Sequence, residues 1–117
     1  MMNERLKLAF EGEMRVGYER STQGDRVSGF RHFERAHVLG QRHTVAHVRS
    51  HWAMLGIGWA NRDAREVLGQ IARMPAALLF SRVWVPVGNT GGANVSAFKP
   101  MPIPSDLAAL MDETSAS

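Results

Sequence analysis

The chain has 117 residues, no cysteine and a formal net charge of +3. This length suits one domain with a modest hydrophobic core, and the lack of thiols excludes disulfides, thiolate metal sites and cysteine nucleophiles. Most of the positive charge comes from arginines, which are scattered from Arg5 to Arg82 without forming a basic stripe. Scattered charge is typical of a solvated surface and disfavours nucleic-acid binding.

The N-terminus, MMNERLKLAFEGEM, carries charges throughout and lacks the apolar centre of a signal peptide. No apolar run approaches the roughly 20 residues that a membrane-spanning helix needs. We therefore predict a cytoplasmic protein of a bacterium-like cell, without membrane contact.

Apolar residues recur at helical spacing along the first two thirds of the chain. The spacing predicts four helices, over residues 3–22, 26–39, 42–61 and 64–80. Gly24 fits the position after a helix, and Asp25 and Asp63 fit N-caps, whereas Pro75 is expected to kink or split the fourth helix. In the third and fourth helices, the side chains predicted to pack in the core are Val45, Val48, Trp52, Leu55, Trp59, Val67, Leu68, Ile71, Met74 and Leu78.

Beyond residue 82, turn formers and prolines replace the helical pattern. The predicted elements are an extended stretch over 83–87, a glycine-rich loop over 88–94, a proline-rich extended stretch over 99–104 and a short helix over 105–111. Backbone N–H groups of the loop GNTGGANVS could bind an anion. The loop lacks the lysine and the following helix of a phosphate-binding loop, which favours a tail whose Asn and Ser side chains cap loose backbone groups.

The predicted fold is all-α, with two helical hairpins in residues 1–82 and an extended Gly/Pro-rich tail in residues 83–117 that packs back on the same domain. Small and aromatic residues of the first hairpin, such as Gly17, Gly29 and Phe33, resemble the packing positions of tetratricopeptide repeats. The second hairpin matches that pattern poorly, and a four-helix arrangement is an equal alternative.

Ionisable side chains fall on the apolar faces of the first two helices. Glu13 lies in the middle of the first face, and Glu34 and His37 share the second. Glu11 and His32 point to the surface instead. Because burying a lone carboxylate costs several kcal/mol unless it is paired or bound to a metal, the inward positions need a compensating partner.

Antiparallel pairing of the helices predicts the depth of each group. With short turns after the first and second helices, Glu13 lies level with Glu34, and Glu34 lies level with His47 on the third helix. His37 is one helical turn from Glu34. These four residues, Glu13, Glu34, His37 and His47, are the predicted metal ligands.

Glu34 and His37 also form an E-x-x-H motif, which directs both side chains towards a metal in the core of ferritin-like bundles. The second such motif of a dinuclear site is missing from the sequence, so we expect a mononuclear site or an atypical dinuclear one. His43 and His51 share a helix face with His47 and are predicted as supporting residues or alternative ligands. Mixed imidazole and carboxylate ligands suit Fe, Mn, Zn, Ni or Cu.

Three segments of the chain resemble an uncharacterised bacterial family of proteins of about this length: ERAHVLGQRHTVAHVRSHW, EVLGQIARMPAALL and VPVGNTGGANVSAFKPMPIP. The resemblance covers nearly the whole chain. It implies a small soluble bacterial protein and transfers no catalytic residues, because the family carries no assigned activity.

Two functions are compatible with these features. The first is a metal-binding helical protein, whose ion would act on a small-molecule substrate in redox, oxygen or hydrolytic chemistry if the protein is an enzyme. The second is a tetratricopeptide-like module that binds a protein partner or forms a homodimer. In the second, the buried charges are structural and no metal is bound; Arg20 shares a helix face with Glu13 and is a candidate ion-pair partner.

Overall fold

Five α-helices follow one another along the described part of the chain, which in this computed structural model comprises residues 2–116, with side chains as far as residue 111. They are α1 (Glu4–Thr22), α2 (Arg26–Gly40), α3 (Thr44–Ala60), α4 (Ala64–Phe80) and α5 (Ser105–Ala116). No strand is present in residues 2–116, so the predicted all-α class is confirmed. None of these helices is long and apolar enough to cross a membrane.

Local sequence signals mark the turn after α1 and the starts of α2 and α4, as expected, whereas α3 begins two residues later than predicted. Gly24 has a φ of 90° in the turn after α1, a backbone conformation that favours glycine. Asp25 and Asp63 cap α2 and α4, each accepting a hydrogen bond at 3.1 Å from the backbone N–H three residues further on. These predictions are confirmed, but α4 continues through Pro75 instead of splitting there.

The helices pack as two hairpins joined through α2. α1 and α2 form the first hairpin, α3 and α4 form the second, and α2 also contacts α3 and α5. The larger apolar core consists of Phe10, Met14, Phe33, Ala36, Ala46, Ala53, Met54 and Ile57. A smaller core joins α5 to the first hairpin through Leu6, Val38, Leu39 and Leu107. The predicted arrangement of two helical hairpins is confirmed.

The second hairpin turns a different face inward from the one that hydrophobicity predicts. Trp52 and Trp59 are 63% and 75% exposed. The predicted core positions that are exposed in the structure are Val45, Trp52, Trp59, Leu68, Ile71 and Leu78. The buried residues of α3 are instead mostly small or polar: Ala46, His47, Ser50, His51, Ala53, Met54, Ile57 and Gly58. The prediction was wrong because large apolar side chains on the outer face outweigh this inner face in any hydrophobicity pattern.

The segment between α4 and α5 is held against the helices by side-chain contacts. The Gln41 amide donates to the Pro86 backbone oxygen at 3.1 Å and accepts from the Gly88 backbone N–H at 3.0 Å. Residues 83–87, predicted as an extended stretch, form turns and irregular backbone. The segment thereby brings its own backbone groups to the side chains of α2 and α4 and of Gln41, which ends α2.

Candidate metal centre

Three histidine side chains meet between α2 and α3. His37 belongs to α2, and His47 and His51 lie one helical turn apart on α3. All three residues are buried. One ring nitrogen from each lies within 4.8 Å of the other two, and the ring centroids are 4.6 to 4.8 Å apart. The three residues, called here the histidine group, form a set that can hold a metal ion.

Each ring of the histidine group is oriented by a hydrogen bond at Nδ1. The partners are the Asn89 backbone oxygen for His37 (2.7 Å), Ser81 Oγ for His47 (2.8 Å) and Gln70 Oε1 for His51 (2.6 Å). A neutral imidazole carries a proton on only one nitrogen. The direction of each of these hydrogen bonds therefore decides which nitrogen keeps a lone pair.

For His37 and His47 the direction follows from the chemistry of the partner. The Asn89 carbonyl oxygen can only accept, so His37 donates from Nδ1. The Ser81 hydroxyl donates to the Ala77 carbonyl oxygen one helical turn earlier. Its single proton is used there, so its oxygen accepts from His47 Nδ1. His37 therefore carries its proton on Nδ1, and His47 does so as long as Ser81 donates to Ala77.

For His51 the direction is set by a buried glutamine. Gln70 Nε2 donates to Glu66 Oε2 at 2.6 Å and to the Gly91 backbone oxygen at 2.9 Å, so its Oε1 is the atom that accepts from His51. Glu66 Oε2 also accepts from the Ala93 backbone N–H at 3.0 Å. The third ring therefore carries its proton on Nδ1 as well, and the network ties α3 and α4 to the glycine-rich loop.

The remaining nitrogen of each ring, Nε2, is left with a lone pair. The Nε2 atoms of His37 and His47 are 3.0 Å apart. Burial lowers the pKa of His37 well below its usual value, that of His47 to about 3 and that of His51 to about 4, and the neighbouring rings add to the effect for His37 and His47. The group is therefore neutral near pH 7, and as long as Ser81 donates to Ala77 no proton lies between the two facing nitrogens.

The glycine-rich loop touches the histidine group at Gly91. This residue has a φ of 85°, and a Cβ atom placed on it would lie 2.6 Å from His37 Cδ2. The Asn89 side chain donates to the backbone oxygens of Ser96 and Lys99, both at 2.8 Å, and accepts from the Gly91 N–H at 2.8 Å. These contacts agree with the loop being capped by its own asparagine, and they fix the carbonyl that orients His37.

A cavity of about 560 Å³ lies against the histidine group. Its apolar lining includes Ala72, Ala76, Phe80, Trp84 and Phe98, and its polar lining includes the three histidines and Arg73. The volume is within the range of about 300–1,000 Å³ that is typical of small-molecule sites. The histidine group thus borders a largely apolar space that can admit a ligand.

Glu13, predicted as a metal ligand, lies in a separate cluster. Its carboxylate accepts from Arg35 Nε at 2.9 Å and lies 2.7 Å from His32 Nδ1, and Arg35 also pairs with Asp106. Glu13 does reach the level of Glu34 on α2. It meets the edge of α2 that carries residues 32 and 35, however, because α1 packs along that edge. His32, predicted on the open surface, is therefore half-buried and paired.

Of the predicted ligands, the structure brings His37 and His47 together and adds His51, which was predicted only as a supporting or alternative residue. Glu34 lies outside this group, and burial raises the pKa of its carboxyl. His43 stands at the N-cap position of α3, and its side chain makes no capping hydrogen bond. Metal binding by any of these residues stays a prediction.

The residues that support the histidine group were not predicted as such. Gln70 had a usable signal: it stands nearly opposite His51 when the third and fourth helices are paired about the turn at residues 61–63. No sequence signal indicated Ser81 or Asn89, because their contacts with the rings join residues that are far apart in the sequence.

The fold and the site define an all-α protein of two helical hairpins with a buried group of three histidines. A family model described as "Protein of unknown function (DUF3703)" matches residues 4–111, and the chain belongs to that family. No curated protein matches the chain, and no solved structure matches it. The resemblance carried by the three sequence segments is confirmed, and the family adds no activity to it.

Proposed function

We propose that this protein binds one divalent transition-metal ion through the Nε2 atoms of His37, His47 and His51. The observation that supports this most is the convergence of three neutral rings whose protons are all on the opposite nitrogen. Two lone pairs that face each other at 3.0 Å in a buried site repel each other unless a proton or a metal cation lies between them. A metal ion would accept all three lone pairs.

The spacing of two of the rings suits such an ion, and the third ring would move closer to bind it. Zinc lies about 2.0–2.1 Å from each imidazole nitrogen, which places two ligands of a tetrahedral site about 3.3 Å apart. His37 and His47 are close to that separation at 3.0 Å, and the third ring offers a nitrogen within 4.8 Å. The hydrogen bonds to Asn89, Ser81 and Gln70 are of the kind that orients metal-binding histidines.

The three imidazole ligands limit which metals suit the site, and they leave one coordination position free for a reaction. Imidazole ligands favour Zn, Ni, Cu and Fe over Mn, which prefers oxygen ligands. Three protein ligands leave a coordination position open, as in catalytic zinc sites, and the same three histidines line the apolar cavity. The arrangement fits a metal-dependent enzyme in which water or substrate occupies the open position. Glu13 and Glu34 are not required as ligands.

A metal-free arrangement would need a different proton position on His47. If Ser81 donated to His47 Nδ1, His47 could donate from Nε2 to His37. The Ser81 oxygen would then face the Ala77 carbonyl oxygen with no proton between them, which is unfavourable in a buried site. The lone pair of His51 would be unaffected. The metal-bound arrangement therefore satisfies more of the buried groups.

The exposed apolar side chains of the second hairpin favour the alternative function, a protein-interaction module. Trp52, Trp59, Leu68 and Leu78 are all exposed on α3 and α4, and apolar surface of this kind often marks contact sites. In that alternative the histidine group holds the two hairpins together and takes up no ion.

Metal titration of protein purified without a histidine tag decides between the two functions. We expect one equivalent of Zn²⁺ or Co²⁺ per chain. The double substitution His37→Gln with His47→Gln should weaken binding by at least about 100-fold, more than the loss of an outer contact does. His32→Gln, a histidine outside the group, is the matched control and should bind as the unchanged protein does. If the folded protein takes up no ion, as shown by circular dichroism and metal analysis together, the metal proposal is wrong.

A further inference from the structure

The cavity beside the histidine group exists because α4 presents small side chains to it. Ala72 and Ala76, one helical turn apart, line the cavity and are themselves exposed, and the buried Ala77 lines it beside them. An inward helix face normally carries large apolar side chains that fill the interior at high packing density. Beside the histidines this helix carries alanines instead, which are too small to close the space, so the cavity stays open to solvent.

Aromatic rings border the same space and remain in contact with water. Phe80, Trp84 and Phe98 line the cavity and are 54%, 55% and 75% exposed. An apolar molecule in the cavity would remove part of this area from water, which is favourable. The lining therefore indicates a ligand with an apolar body.

A positive charge stands in the lining as well. Arg73 donates from Nη1 to the Gly69 backbone oxygen and from Nη2 to the Val95 backbone oxygen, both at 3.0 Å, while its buried Nε has no hydrogen-bond partner. Within residues 2–111, Arg73 forms no ion pair. A guanidinium carries five N–H donors, so several remain for an anionic oxygen, to which arginine binds strongly.

We propose that this cavity binds a small molecule with an apolar body and one anionic oxygen group, of the class of aromatic or short aliphatic carboxylates. The apolar body lies against the aromatic lining, and the anionic group accepts from Arg73. The same group reaches the open position of the metal ion, a contact that rests on the proposed function. An anion at this position also offsets the positive charges of the ion and of Arg73. Glu66, which is hydrogen-bonded to Gln70, balances only part of that charge.

The three tryptophans provide an internal test of where a ligand binds. Trp84 lines the cavity, whereas Trp52 and Trp59 are exposed on α3. Benzoate should shift the indole N–H NMR signal of Trp84 saturably and leave the other two signals in place. Acetate lacks the apolar body and benzyl alcohol lacks the charge, so both should bind at least about tenfold more weakly.

Substitutions in the lining test the two halves of the proposal separately. Ala76→Phe fills the cavity and should weaken benzoate binding at least about tenfold, whereas Ala109→Phe, on the exposed side of α5, should not. Arg73→Gln should weaken the binding of benzoate but not that of benzyl alcohol. Benzoate binding that survives both lining substitutions, or a shift of all three indole signals together, would overturn the assignment.

Repeating the titration with Co²⁺ separates this proposal from the metal site itself. If Co²⁺ binds, benzoate should change its visible absorption and bind more tightly to the loaded protein. If Co²⁺ does not bind and Trp84 still responds to benzoate, the metal proposal fails and the cavity assignment stands. If Co²⁺ binds and benzoate changes neither the absorption nor the Trp84 signal, the cavity assignment alone fails.

Discussion

The chain contains two clusters of histidine and polar side chains between its helices, and their hydrogen bonds are balanced differently. Between α1 and α2, the Glu13 carboxylate pairs with Arg35 and contacts His32, while Arg35 also reaches Asp106. Cations and carboxylates face one another there. In the histidine group, each Nδ1 atom has a hydrogen-bond partner, and the Nε2 atoms of His37 and His47 face each other at 3.0 Å.

This difference shows why buried ionisable residues alone do not identify a metal site. The Glu13 cluster satisfies its own charges, and a cluster of that kind can hold two helices together without a ligand. The histidine group satisfies its donors but not its acceptors. A metal ion would bind to unmatched acceptors of this kind in a buried site. Substitutions in the two clusters should therefore have effects of different kinds.

The largest effect is expected from Gln70→Leu. This change removes the acceptor of His51 Nδ1–H and the donor to Glu66 and Gly91, at nearly constant side-chain volume. Because outer contacts of this kind fix the ligating ring, the affinity for Zn²⁺ should fall by about 10–100-fold. Competition with a coloured chelator measures the dissociation constant.

The matched control for Gln70→Leu is Gln23→Leu, the same change at an exposed position that ends α1. It should leave the zinc affinity as it was. Equal affinities for the Gln70→Leu protein and the unchanged protein would mean that Gln70 does not support a ligand, and the contrast between the two clusters would weaken accordingly.

A smaller effect, on stability alone, is expected from Glu13→Gln. The change removes the charge that faces Arg35 and His32, and it should lower the free energy of unfolding by about 1–2 kcal/mol. Urea unfolding measures this loss. The zinc affinity should not change. A fall in zinc affinity of tenfold or more would mean that Glu13 is a metal ligand, as the sequence predicts. The distinction between the two clusters would then no longer hold.

The fold class could be predicted from the sequence because its signals are local. The caps at Asp25 and Asp63 and the turn at Gly24 depend on residues within a few positions of them. The face of α3 that turns inward is not a local property. Trp52 and Trp59 are exposed because contacts with α2 and with the segment after α4 decide the orientation, and a hydrophobicity pattern contains neither contact.

The candidate site could be predicted in part for a related reason. His37 and His47 are neighbours because both lie near the turn between α2 and α3. That turn occupies residues 41–43, later than the sequence prediction assumed, so His37 rather than Glu34 lies level with His47. The carbonyl of Asn89 could not be predicted as a partner of His37, because the two residues are 52 positions apart and only the folded loop brings them together.

The smallest effect is the contribution of a single histidine to the pH dependence of the metal-free protein. The pKa of His47 is lowered to about 3, that of His51 to about 4 and that of His37 well below its ordinary 6.5. Near pH 6.5 the unfolded chain takes up protons at these residues and the folded chain does not. The free energy of unfolding should therefore be highest above pH 6.5 and should fall as the pH falls, by up to about 1 kcal/mol per pH unit for each histidine.

Urea unfolding in the presence of a chelator, between about pH 7 and pH 5, tests this dependence. Burial lowers the pKa of His43 as well, which adds a contribution of the same sign, whereas the raised pKa of Glu34 adds one of opposite sign. His51→Phe should remove the contribution of one histidine to the change of the free energy of unfolding with pH, because phenylalanine takes up no proton. If the pH dependence is absent, or is unchanged in His51→Phe, the folded rings take up protons over the same pH range as the unfolded ones. Their nitrogens would then be donors like those around Glu13, and the case for an ion at the histidine group would be lost.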